Sequence, residues 1–365
     1  MHYLDANATE PLRPAARAAM LAALEVTGNP SSVHGPGRAV RRVIEAARES
    51  LASRFGGRPG DLVFTSGATE ANALAIHALG AGRRVIVGAT EHDAVRAAAP
   101  GAAVLPVDRE GVADLGVLAK QLAEGGPALV CLMLANNETG TLLPIAEAAS
   151  LCRLHGAWLH ADAAQAAGRI PVDLKALGAH GLALSSHKLG GPMGAGALLL
   201  APEVADIAPL IRGGGQERGR RGGTPPVPAI AGFAAAAAEA ADATRLAELR
   251  DAIERIAVAA GALVCGGGAP RLPNTSCLAL PCVRADAQVI ALDLDGLAVS
   301  AGAACSSGKV ASSHVLAAMG LGALADQAIR VSLPWNATEA DVAAFADAYP
   351  RMAARLGAAL ALHAA

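Results

Sequence analysis

From Leu62 to Leu200 the chain alternates short apolar runs with longer amphipathic stretches, and no other feature restricts its fold as tightly. The runs Leu62–Thr65, Arg84–Val87, Ala103–Pro106, Ala128–Leu134, Trp158–Ala161, Leu182–Leu184 and Ala197–Leu200 predict strands. The stretches Arg38–Phe55, Thr69–Leu79, Ala94–Ala99, Leu115–Glu124 and Ile145–His155 predict helices, with Leu174–Leu177 as a single turn. Such alternation predicts an α/β architecture, a mostly parallel sheet covered by helices on both faces. Ligands of such sheets sit at the carboxyl ends of the strands. The polar clusters Ser66 to Thr69, Glu91-His92, Asn136 to Glu138, Asp162 and Lys188 all fall just past those ends.

Apolar residues make up 53% of the 365 residues and aromatic residues only 2%, so core volume has to come from Leu, Val, Ile and Ala. A formal net charge of -2 provides no basic face for nucleic acid. The short, glycine-laced Arg212 to Arg221 reads as a loop. No apolar run reaches membrane-spanning length without a charge, a Gly or a Pro. The N-terminus lacks the basic-then-apolar layout of a signal peptide, so a cytoplasmic, reducing location is expected. None of the six cysteines forms a CxxC pair, and no metal site is expected. After Pro228 the pattern changes. An Ala-rich stretch, Ala229–Ala260, reads as one long helix. Beyond it strands are expected at Ala262–Cys265, Thr275–Leu280 and Gln327–Leu333, and helices at Ala285–Asp295, Ser312–Met319 and Glu339–Ala365. The expected organisation is a large domain over 13–249 and a smaller one formed by 250–365, to which residues 1–12 return.

Lys188 follows one apolar run and Asp162 ends another. A lysine that can lose its proton, with a carboxylate fixed at a distance, is what a pyridoxal 5'-phosphate site requires. The amine forms an imine with the aldehyde, while the carboxylate keeps the pyridine nitrogen protonated. The plain alternative is a solvated surface lysine. Thr65 to Glu70 follows a strand and opens a helix, where free N–H groups and the positive dipole end bind phosphate, and Thr69 adds a hydroxyl. An ordinary helix cap would use the same residue types. The ring of His92 suits stacking on a flat cofactor and acid–base work near neutral pH, or simply starting a helix. The amides of Asn137 and Gln165 suit orienting a ring hydroxyl. Cys305 lies in Ala301 to Gly308, among small residues that leave a sulfur accessible, as a travelling nucleophile requires, or it is a loop cysteine with no role. Arg330 lies inside an apolar run. Burying its guanidinium demands a carboxylate, either from a substrate or from a structural ion pair.

These residues, in this order, resemble the cysteine desulfurases of the aminotransferase class V family, of the nitrogen-fixation and iron–sulfur-assembly type. The matching stretches are Tyr3 to Thr9, Gly28 to His34, Thr65 to Glu70, Thr90 to His92, Asn136 to Gly140, His160 to Gln165, Ser185 to Lys188, Gly213 to Thr224, Cys305 and Ile329-Arg330. They span nearly the whole chain. The resemblance implies the fold type I of pyridoxal phosphate-dependent transferases: a large domain with a mixed seven-stranded sheet and a smaller α+β C-terminal domain carrying the cysteine loop. It implies that Lys188 carries the cofactor, that Asp162 holds the pyridine nitrogen, and that His92 stacks on the ring and shuttles protons. Gln165 would contact the ring hydroxyl, and Asn137 would lie beside cofactor and substrate. Ala68, Thr69, Ser185 and His187 would hold the phosphate. Thr224 would reach a phosphate across a subunit interface, which implies a homodimer.

By the same resemblance Arg330 clamps the carboxylate of L-cysteine and Cys305 attacks its sulfur. The products are L-alanine and a persulfide on Cys305, passed to an acceptor protein, an iron–sulfur scaffold or a tRNA-thiolation protein. The sequence stops at Ala365 with the last expected helix, so the scaffold-docking extension of housekeeping relatives is expected to be absent. Ser186 stands where relatives often have glycine. A class V aminotransferase or selenocysteine lyase would share the scaffold, and so would a cofactor-binding subunit without catalysis. An aminotransferase has no use for Cys305, and a silent subunit usually loses one of Lys188, Asp162, His92 and Cys305.

Overall fold

The seven central apolar runs all form strands, and all join one sheet. The structure, a computed structural model, describes residues 1–302 and 312–363, with side chains to residue 358. Strand β1 (His2–Tyr3) precedes helices α1 (Pro14–Leu24) and α2 (Gly35–Arg54). Strands and helices then alternate through β2 (Leu62–Thr65), α3 (Ala68–Leu79), β3 (Arg84–Gly88), α4 (Asp93–Arg96), β4 (Ala103–Leu105), α5 (Leu115–Ala123) and β5 (Ala128–Met133). The alternation continues with α6 (Ile145–Leu154), β6 (Trp158–Asp162), α7 (Leu174–Leu177) and β7 (Gly181–Ser185), then β8 (Gly196–Leu200). The sheet order is β2-β8-β7-β6-β5-β3-β4. Only β8 runs antiparallel to its neighbours.

Alternation along each strand explains the two covered faces. Leu62, Phe64, Val130, Leu132, Leu182, Leu184 and Leu199 point to one core, shared with Ile44 and Leu51 of α2 and Leu118 of α5. Val63, Leu129, Cys131, Ala183 and Leu198 point to the other, shared with Ala71, Leu74 and Ala75 of α3. Strands β5, β7 and β8 are buried along their whole length, which is why they read as unbroken apolar runs.

Helices α8 (Val227–Ala237) and α9 (Ala243–Ala259) replace the single helix expected over Ala229–Ala260. Asp242 accounts for the break. Its carboxylate accepts the Arg245 N–H at 3.1 Å and caps α9. Just before it, the Ala241 N–H is drawn to the Gly168 carbonyl. Helix α1 was not anticipated. Its apolar residues are mostly alanine spread around the helix, which leaves little apolar stripe to read. It starts with Pro14, whose missing N–H costs nothing in a first turn.

The remaining elements are β9 (Leu263–Cys265), β10 (Thr275–Ala279), α10 (Ala285–Leu294), β11 (Leu297–Ala298), β12 (Ser300–Ala301), α11 (His314–Ala318), β13 (Ala328–Ser332) and α12 (Glu339–His363). Strands β12-β13-β10-β9 form an antiparallel sheet. Its core joins Leu278, Ile329 and Val331 to Ile253 of α9, Leu292 of α10 and Phe345 and Tyr349 of α12. The N-terminus returns here. Strand β1 pairs with β11, Leu4 enters this core, and Asp5 bridges to Ser332. Residues 6–10 then cross to the carboxyl ends of the large sheet, where Glu10 N–H donates to the His187 carbonyl.

Candidate active site

Strands β5, β6 and β7 and the turns after β2 and β3 direct side chains into one cavity of about 460 Å³. Ala68, Thr69, His92, Asn137, Asp162, Gln165, Ser185, His187 and Lys188 all line it. Nine of the positions read from the sequence therefore come together.

At one side lies Asp162, the last residue of β6, in register with Met133 on β5 and Ala183 on β7. Its Oδ1 accepts the Ala164 N–H at 2.9 Å and its Oδ2 accepts the Asn72 amide at 2.6 Å. The Asn72 carbonyl oxygen meets His160 Nε2 at 2.8 Å. Burial pushes the Asp162 carboxyl up, while the Ala164 and Asn72 hydrogen bonds and the nearby His92 and Lys188 draw it down. Burial holds His160 down at about 4, so its ring is neutral and its Nε2–H orients the Asn72 amide. A buried carboxylate in this state gains from a cation placed against it, as a protonated ring nitrogen would be.

On the opposite side, α3 opens at Ala68 with no side chain capping it. The first N–H groups of a helix have no acceptor of their own, and the dipole adds positive potential. Ser185, at the end of β7, and His187 stand beside this start. Strand β8 approaches so closely that a Cβ on Gly196 would lie 2.5 Å from the Gly67 Cα, so only glycine fits there. Burial, with Lys188 and Arg169 nearby, lowers His187 to about 4. Its ring is therefore a neutral hydrogen-bonding group, with Nδ1 3.1 Å from the Thr9 hydroxyl. An uncapped helix start at one end and a buried carboxylate at the other fit a molecule carrying phosphate and a basic ring nitrogen.

Lys188 Nζ donates to the carbonyls of Asn7 at 2.5 Å and Ala8 at 3.0 Å. Gln165 Nε2 also donates to Asn7, and its Oε1 accepts from Arg169. His92 caps α4, accepting the Ala94 N–H on Nδ1 at 3.1 Å, so a neutral ring carries its proton on Nε2. Starting a helix and lining the cavity are thus compatible. Beneath it, buried Glu91 accepts the Met133 N–H at 2.6 Å on Oε1, has no partner at Oε2, and is pushed well above the usual carboxylate range by burial.

Two expected residues lie outside the cavity lining, and a third lies outside the described residues. Arg330 is buried beside the cavity. It donates to Asp5 Oδ1 at 2.7 Å and to the Asn137 carbonyl at 3.1 Å, while its Nε has no partner among the described residues, so an ion pair holds it in place without using all its donors. Thr224 is exposed on the loop after β8. Two ion pairs pin that loop, Arg48 with Glu217 at 2.7 Å and Arg221 with Glu70 of α3 at 2.7 Å. Glu217 and Arg218 adopt positive φ of 48° and 60° there. Cys305 falls outside the described residues. Among those described, no cluster of three or more His, Cys, Asp or Glu side chains could hold a metal ion, and no helix is long and apolar enough to cross a membrane.

Asn72 and Asn7 were not singled out from the sequence. Asn72 had a readable signal, a polar residue on the buried face of α3 between Ala71 and Leu74. Asn7 had none, because its carbonyl rather than its side chain receives Lys188.

The aminotransferase class-V family matches residues 2–345. An IscS-like cysteine desulfurase from Mycobacterium tuberculosis is 40% identical over 97% of this chain and 97% of its own. A cysteine desulfurase from Cereibacter sphaeroides is 42% identical over 98% of this chain and 96% of its own. The crystal structure of a NifS-like protein from Rickettsia africae superposes with a TM-score of 0.89 and 34% identity, covering 96% of this chain and 99% of that one. With the cavity at the strand ends of a mixed seven-stranded sheet, these likenesses make the chain a member of the aminotransferase class-V family.

Proposed function

We propose that this protein is a cysteine desulfurase that uses pyridoxal 5'-phosphate to remove sulfur from L-cysteine. The observation that carries the reading is the cavity itself, with Lys188, buried Asp162 and the uncapped start of α3 around it. Ala68, Thr69, Ser185 and His187 would hold the phosphate, Asp162 the ring nitrogen and Gln165 the ring hydroxyl. When bound, the cofactor would supply an electron sink for carbanionic charge next to the reacting carbon. Lys188 is the amine that holds the cofactor aldehyde and moves protons at the substrate. The His92 imidazole would stack on the cofactor ring and exchange a proton through Nε2. Asn137 sits beside the substrate, and Arg330 steers the substrate carboxylate.

Cys305 is the nucleophile. Its thiolate forms an S–S bond to the cysteine sulfur, the carbon–sulfur bond breaks, and the carbon takes a proton. The balance is L-cysteine plus a thiol giving L-alanine plus a persulfide. A free Cys305 thiol needs a reducing compartment and its persulfide needs an acceptor, so we place the enzyme in the cytoplasm with a sulfur-acceptor protein of iron–sulfur assembly or tRNA thiolation. Thr224 serves the phosphate of a second subunit in a homodimer. Residues 13–249 form the large domain, and 1–12 with 250–365 the small one. The test is absorbance: pyridoxal phosphate added to purified protein gives a visible band that Lys188→Ala abolishes, and L-cysteine alters that band and yields alanine. No band, or a band without alanine, would reject the proposal.

A further inference from the structure

We infer that Glu138 is a positioning residue whose carboxyl holds Ser313 and abuts Gly302, the two chain ends flanking the segment that contains Cys305. The inference rests on the assignment of Cys305 as nucleophile. Glu138 follows cavity residue Asn137, and its backbone is fixed from behind: its N–H donates to Asn136 Oδ1 at 2.9 Å, and the Asn136 amide donates to the Thr90 carbonyl.

The Glu138 side chain, buried to 2% exposure, reaches towards the small sheet. Its Oε2 accepts the Ser313 hydroxyl at 2.6 Å. Ser313 Oγ in turn accepts the Leu316 N–H at 3.0 Å, capping α11, so its one hydroxyl proton is committed to Glu138. At the other chain end a Cβ built on Gly302 would lie 2.9 Å from the same Oε2. Gly302 is itself held by its N–H to the Ala328 carbonyl, and Ser313 by its N–H to the Ala325 carbonyl. One carboxyl oxygen therefore bonds the return at Ser313 and fills the space that a side chain at Gly302, the departure, would need.

A buried carboxyl is a costly way to fill a core, so its retention between these two points calls for a polar task. The charged and titratable groups facing it are Arg330 on β13, His92 and Asp93 at the start of α4, and Cys277 on β10. Burial raises the Glu138 carboxyl to about 7, against the pull of Ser313 and Arg330. Oε2 can accept from Ser313 whether or not Oε1 carries a proton. The task is thus that of an acceptor, which glutamine can also perform.

The experiment uses the full-length, cofactor-loaded protein with Glu138→Ala, Glu138→Gln and Ser313→Ala. Three readouts are taken: the cysteine-induced absorbance change, the rate of persulfide formation on Cys305, and the rate of Cys305 alkylation by iodoacetamide. A displacement of about 1 Å in a reacting group costs on the order of 100-fold in rate. The expected result is persulfide formation about 10- to 100-fold slower in Glu138→Ala and Ser313→Ala. The half-saturating cysteine concentration stays within about 2-fold in both, and Glu138→Gln recovers to within about 3-fold of wild type. Wild-type persulfide rates in Glu138→Ala would overturn the inference. So would parallel loss of the cysteine-induced change, or a Gln variant as slow as the Ala variant. If Glu138→Ala does not fold, Ser313→Ala decides by the same criteria. If wild type forms no persulfide, the functional reading fails on its own. Alkylation then decides: a rate changed by Ala but not by Gln supports the positioning role, and an unchanged rate rejects it.

Discussion

Asn72 donates to Asp162 Oδ2 at 2.6 Å from the inner face of α3, so the helix that opens one end of the cavity also orients the carboxylate at its far end. His160 fixes the amide so that its NH2 faces the carboxylate. Hydrogen bonds to a charged group contribute about 1.5–3 kcal/mol. Replacing Asn72 with alanine is therefore expected to weaken pyridoxal phosphate binding about 10- to 100-fold, measured by equilibrium titration of the visible band. An unchanged dissociation constant would contradict the role given to this contact.

Arg330 and Asp5 form a buried pair at 2.7 Å, with the Ser300 hydroxyl on the other Asp5 oxygen at 2.8 Å. The pair joins the N-terminal segment to β12 and β13. Removing one partner of a buried pair costs about 3 kcal/mol. Arg330→Ala should lower folded stability by that order in denaturant titrations and also raise the KM for cysteine. A loss of stability with an unchanged KM would leave only the structural role.

The pH dependence of stability should carry two opposed contributions. Burial raises Glu138 from 4.5 to about 7. Between those values the folded chain keeps a proton that the unfolded chain has released, so this contribution is full below 4.5 and is lost as pH rises to 7. Burial lowers His160 from 6.5 to about 4, so its contribution is full above 6.5 and is lost as pH falls to 4. Glu138→Gln should remove the first only. Its stability relative to wild type should grow from pH 4.5 to 7 and then level off, as thermal midpoints across pH would report. Parallel curves for the two proteins would contradict the raised carboxyl.

Thr224 stands on a loop pinned to α3 through Arg221 and Glu70, outside the cavity of its own chain. If it serves a partner's phosphate, Thr224→Ala should weaken cofactor binding about 5-fold, the worth of roughly 1 kcal/mol for one hydrogen bond, without lowering the apoprotein's thermal midpoint. Sedimentation should show a dimer. A monomer, or unaltered binding, would remove Thr224 from the site.

The large sheet was legible because its central strands bury both faces, which forces unbroken apolar runs such as Ala128–Met133. The small elements were not. Strands β1, β11 and β12 span two residues each and are held by pairing rather than by pattern. The cavity residues were legible through their place after strand ends. Their buried contacts were not: Asn72 carried the signal of a polar residue on an apolar face, and Glu91 and Glu138 fell in the strand-end clusters, but only the fold creates the partners through which they act. Arg330 was readable as a buried cation needing a carboxylate, but Asp5 lies far from it in sequence, and no spacing identifies the pair.

Alanine formation from L-cysteine, compared between wild type and Cys305→Ala in the presence of a reductant, bears most directly on the central claim. Mass spectrometry of Cys305 should be taken alongside it on a sample turned over without reductant, which would otherwise strip the persulfide sulfur. The account predicts alanine from wild type with one extra sulfur on Cys305, and neither from the variant. Equal alanine from both proteins would contradict it and remove Cys305 from the reaction.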